Sequence, residues 1–99
     1  MTRANQSTLI ATAQRKGEAT ASSWRAYYRP RTEETPAYVE VWHYAHPMFR
    51  VETAQRTVEP VSRGYGSMTD KCGVRKILAG YGIHMGYNEL YESLSRDAA

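Results

Sequence analysis

The chain has 99 residues, a formal net charge of +3 and a single cysteine, Cys72. A chain this long makes one domain, on the usual scale of about 100–200 residues each, and one cysteine excludes the internal disulfides that staple small secreted domains. No run nears the roughly 18–20 apolar residues of a membrane span, and Leu9-Ile10-Ala11 falls short of the about 7–15 apolar residues of a signal peptide, so a reducing compartment without a membrane partner is expected.

Residues 1–21 are rich in Thr, Ala, Ser, Gln and Gly. Apolar mass to offset the entropy of ordering is scarce there. A flexible polar segment is expected over 1–21, with Leu9, Ile10 and Ala13 seeding at most a fraying helix near 7–16. Residues 22–99 then form a single α+β domain. Ser22 to Arg29 read as a short edge strand, and Pro30 to Pro36 as a loop, because proline cannot donate to a ladder.

The clearest strand is Tyr38-Val39-Glu40-Val41-Trp42-His43-Tyr44, dense in β-branched and aromatic residues. Alternation puts Tyr38, Glu40, Trp42 and Tyr44 on one face and Val39, Val41 and His43 on the other. A mid-strand carboxylate is costly to bury unpaired, so the Glu40 face is the wetter one. Met48 to Glu52 follows as a second strand, Met48, Arg50 and Glu52 opposite Phe49 and Val51. Thr57 to Ser62 is a third, with Pro60 marking an edge or a bulge.

After Gly64-Tyr65-Gly66, Ser67 with Asp70 forms a capping-box signal. Val74, Ile77, Leu78 and Tyr81 make one apolar stripe at helical spacing, and Gly80 and Gly82 end the helix. Ile83 to Tyr87 reads as a short returning strand. Alternatively Asn88 caps a helix with Tyr87, Leu90, Tyr91 and Leu94 on one face; a short strand followed by a short helix is the favoured reading. The expected fold is a small antiparallel sheet of about three to four strands on one main helix, with Val39, Val41, Phe49, Val51, Val74, Ile77 and Leu78 in the core.

No motif selects catalytic chemistry. His43, His46, Cys72 and His84 are ligand types without metal-site spacing, so neither a metal nor a cofactor is expected. Cys72 falls in the first helical turn, where the dipole favours a thiolate, but a small side chain tucked near the sheet accounts for it. The turn at Gly64 to Lys71 lacks the spacing of phosphate-binding loops, and capping accounts for its residues.

Aromatic residues are the real surplus. Eight tyrosines and two tryptophans are more than so small a core takes up, and exposed Tyr, Trp and Arg together are the composition of a binding surface. The partner-binding candidates are Trp24, Tyr27, Tyr28, Arg29, Tyr38, Trp42 and Tyr44, with Trp42 or Tyr44 and at least one of Trp24, Tyr27 and Tyr28 as the anchors. For nucleic acid the candidates are Arg25, Arg29 and Arg31 with Lys71, Arg75 and Lys76, on phosphates.

From Tyr65 the run Tyr-Gly-Ser-Met-Thr-Asp-Lys-Cys-Gly-Val-Arg-Lys-Ile-Leu resembles small bacteriophage accessory proteins of unknown function. Those carry an aromatic residue, alternating threonines, a lysine and a short amphipathic helix after two or three strands. Tyr65, Ser67, Thr69, Lys71 and Val74 fall at matching steps. Asp70 and Arg75 stand where a threonine and an asparagine are common. The resemblance implies a phage or mobile-element setting in a bacterial cytoplasm and no catalytic residues. Together these features lead to the expectation of a non-enzymatic protein that binds, and inhibits, a host protein. The alternatives are a small nucleic-acid-binding protein and a minor virion component.

Overall fold

Six strands pair side by side in chain order in the computed structural model, which describes residues 1–98, with side chains through Glu92. They are β1 (Thr2–Arg3), β2 (Glu18–Ala21), β3 (Trp24–Arg29), β4 (Tyr38–His43), β5 (His46–Glu52) and β6 (Val58–Pro60). β1 runs parallel to β2, and every other pair is antiparallel. Ser22-Ser23 joins β2 to β3, and Tyr44-Ala45 joins β4 to β5. Such two-residue hairpin loops need φ above zero, and Ser22 (58°) and Tyr44 (53°) supply it. Register pairs Trp24 with His43, so both tight turns lie at the same end of the sheet.

The register slips between Val41 and Trp42, which pair with Phe49 and Pro47. Met48 is the extra residue of this bulge. The slip turns its side chain off the Arg50 and Glu52 face, where simple alternation places it, and buries it fully.

All three helices, α1 (Leu9–Lys16), α2 (Met68–Gly80) and α3 (Tyr87–Ala98), contribute to one core with the Val39, Val41, Phe49 and Val51 face of the sheet. Ser67 caps α2 as its sequence predicts, accepting the Asp70 amide while the Asp70 side chain accepts the Ser67 amide. Val74, Ile77 and Leu78 are buried. Gly73 is required for a close approach: a Cβ there would overlap the Trp24 indole.

Three expectations need correction. Residues 1–21 are not a flexible segment beside a separate domain. Leu9, Ile10 and Ala13 fall on one side of α1 and are at most 1% exposed, while β1 and β2 extend the sheet. The few apolar residues are enough because they share one helical face and the backbone around them is paired. β3 is therefore an interior strand, flanked by β2 and β4, and the sheet is larger than the expected three to four strands. Nor is there one main helix or a returning strand. Residues 83–86 have no strand pairing, and α3 begins at Tyr87, burying Tyr87, Leu90 and Tyr91. The expected position of Leu94 lies outside the described side chains.

Candidate functional site

Helices cover one face of the sheet and leave the other bare. Alternation sends Arg25, Tyr27 and Arg29 of β3 to the bare face, with Tyr38, Glu40 and Trp42 of β4 and Arg50 and Glu52 of β5. The side chains hold one another. The Trp42 Nε1–H donates to Glu40 Oε1 at 2.7 Å, and Arg29 lies 3.6 Å from the same oxygen. Arg29 stacks over Tyr27 at 5.5 Å and Arg50 over Tyr38 at 5.2 Å. Cation–π contacts of this kind fix the guanidinium planes. Arg25, Tyr27, Trp42 and Tyr44 line a shallow concavity of about 270 Å³. The concavity brings together three of the expected partner-binding residues, Tyr27, Trp42 and Tyr44, with Arg25, a candidate for nucleic acid.

Other predicted residues are placed differently. Trp24 is fully buried and stacks on the His43 ring with centroids 4.1 Å apart, so it serves the core and cannot meet a partner. Its alternation partner on the core face, Tyr28, is half-buried against the same cluster. Both stand opposite Arg25, Tyr27 and Arg29 because β3 alternates. Tyr44 is not on a strand: β4 ends at His43, and Tyr44 sits in the hairpin turn, 62% exposed.

The basic residues considered for nucleic acid do not share a surface. Arg25 and Arg29 are on the bare face, interleaved with Glu18, Glu40, Glu52 and Glu59. Arg31 is exposed in the loop before β4, next to Glu33. Lys71, Arg75 and Lys76 are exposed on α2, on the helical side. Among the described residues no cluster of three or more His, Cys, Asp or Glu is arranged to hold a metal ion, and Cys72 is exposed. No described helix is long and apolar enough to cross a membrane.

A second constellation, at the hairpin end of the sheet, was not anticipated. His43 is 1% exposed and Asp70 fully buried. His43 Nδ1 lies 2.5 Å from Asp70 Oδ1, and His43 Nε2 lies 2.9 Å from Ser23 Oγ. Asp70 Oδ2 accepts the Tyr65 and Ser67 amides. Burial works to raise the Asp70 carboxyl pKa, but hydrogen bonds from His43, Ser67 and Tyr65, together with charge attraction to His43, outweigh it and hold the group below its ordinary value. An ionised carboxylate only accepts, so Nδ1 carries the hydrogen. In the neutral ring, Nε2 is then the acceptor for the Ser23 hydroxyl.

Exposed aromatic rings surround this histidine. Tyr44 and Tyr65, about equally exposed, lie 4.7 and 6.4 Å from the His43 ring, and His46 meets Tyr65 edge-on at 4.5 Å. Sequence did carry one signal for this site. His43 falls on the Val39–Val41 face, and a buried imidazole there demands polar partners. Nothing local names Ser23 or Asp70 as those partners. No protein-family model matches the chain, and no curated protein or solved structure matches it either.

Proposed function

We propose that the chain is a phage or mobile-element protein of the bacterial cytoplasm that binds a host protein through the bare face of its sheet and blocks that protein's action. The observation that carries this is the face itself: Tyr27, Tyr38 and Trp42 set among Arg25, Arg29 and Arg50, on the side of the sheet away from the helices. Tyr, Trp and Arg are the residues that dominate binding hot spots. The rings are already oriented by Glu40 and the stacked guanidinium groups, so little side-chain freedom remains to be lost on binding. Four glutamates interleave the three arginines of this face, which favours a protein partner with mixed charge over a polyanion.

Capture from host lysate, with and without nuclease, tests the proposal. The expected result is a host protein retained after nuclease and lost when Trp42 is replaced by alanine. Retention of nucleic acid alone, with binding that falls steeply as salt rises, would put a nucleic-acid binder in its place.

A further inference from the structure

Ser23, His43 and Asp70 come from the β2–β3 turn, the end of β4 and the first turn of α2. These three separate segments meet atom to atom in the order hydroxyl, imidazole, carboxylate. We infer that this is a nucleophilic site, with Ser23 as an acyl acceptor toward activated carboxylic esters, aryl esters above all. His43 is the general base, and Asp70 is the positioning residue that holds its tautomer. That chemistry needs a hydroxyl within hydrogen-bond reach of a base which a third group orients, and each of these relations is present.

The surroundings fit the assignment. Asp70 is fixed on its other oxygen by two backbone amides, so its free oxygen has one task. The Trp24 indole backs the imidazole at 4.1 Å and keeps it from turning. The Tyr44 amide donates to the Ser23 carbonyl at 3.1 Å, tying the two turns together. Ser23 itself is only half-buried, while base and acid are sealed. Tyr44 and Tyr65 stand on the solvent side with ring centroids 6.2 Å apart, an apolar rim against which an aryl group can rest.

In the reaction, Ser23 Oγ bonds to the ester carbonyl carbon and its proton passes to His43 Nε2. The tetrahedral adduct then expels the alcohol or phenol, which leaves with that proton. Water enters by the same route, giving the carboxylic acid and restoring the serine. No electrons leave or enter the system.

The same hydrogen bonds also brace both hairpins to α2, and bracing alone gives no reactivity at Ser23. Two measurements on the full chain separate the roles. A fluorophosphonate probe should form one Oγ–P bond with loss of fluoride, mapped to Ser23 by peptide mass. Release of nitrophenol from p-nitrophenyl acetate should fall by about a hundredfold or more in Ser23→Ala, the scale of assisted catalysis. Ser23→Ala leaves His43 Nε2 without its partner, so that variant should melt below the parent, and its rate is read at a temperature where it is still folded. Failure of the probe to modify Ser23, or a Ser23→Ala rate comparable to the parent's, overturns the inference. The labelling result stands on the unaltered protein, so it decides the matter even if the variant folds poorly.

Discussion

The bare sheet face and the hairpin end carry the same kinds of residue, aromatic rings beside charged groups, yet they are built in opposite ways. On the bare face the contacts lie within one strand or between neighbouring strands. Trp42 and Glu40 are two residues apart on β4, and Arg29 and Tyr27 two apart on β3. Period-two alternation alone puts them there, in contact with water. At the hairpin end, His43 reaches partners twenty and twenty-seven residues away, and the imidazole and carboxylate are sealed. The difference teaches what a substitution should do. A change on the bare face should weaken recognition and leave the fold, because the side chains there are half-buried or exposed and the core face beneath them is untouched. A change at the hairpin end strands a buried polar group and is felt first as lost stability.

The largest expected effect tests how far the cooperative unit extends. Deleting residues 1–12 removes β1 and the buried Leu9 and Ile10, and should abolish cooperative melting. A truncated protein that melts like the parent by circular dichroism would restore the view of these residues as a dispensable tail. Next is His43→Ala, which empties the space beside Trp24 and leaves the Asp70 oxygen unpaired. Its expected cost is about 3–5 kcal/mol, as for truncation of a large buried ring, measured by urea denaturation. A cost below about 1 kcal/mol, the worth of one ordinary hydrogen bond, would mean that the hairpin end does not brace the fold.

Acid provides a gentler test of the same region. The folded Asp70 carboxyl titrates below its ordinary value of 3.8. Its contribution to stability is therefore complete above that value and is lost as pH falls through the lowered folded value. The melting temperature should drop in that acid range, with a shallower acid slope in Asp70→Asn, which should already be less stable at neutral pH. Identical acid slopes in the two proteins would assign the acid sensitivity to other carboxylates.

These two regions also divide what the sequence shows from what it conceals. Alternation in 38–43 identifies which residues face the core and which the other side, and the Ser67–Asp70 box locates the start of α2. Both signals are local, and both agree with the fold. Met48 escapes because a bulge changes the count by one residue, which no propensity announces. The placement of Trp24 depends on β3 being interior, which in turn depends on β2. That strand has little apolar signal and forms because α1 folds back over it. The hairpin-end site is harder still. Its register pairs Trp24 with His43 only once the sheet exists, so the Ser23 hydroxyl and the Asp70 carboxylate have no sequence signature as partners of one imidazole. Asp70 looked complete as a helix cap, although its second oxygen has another use.

The most direct test of the central claim, that the bare face is for recognition and not for folding, is Trp42→Ala measured twice, by melting and by affinity for the captured host protein. The expected result is a midpoint close to the parent's together with binding weakened at least about tenfold, roughly 1.4 kcal/mol. A variant that unfolds, or one that folds and binds the captured protein as the parent does, would contradict it.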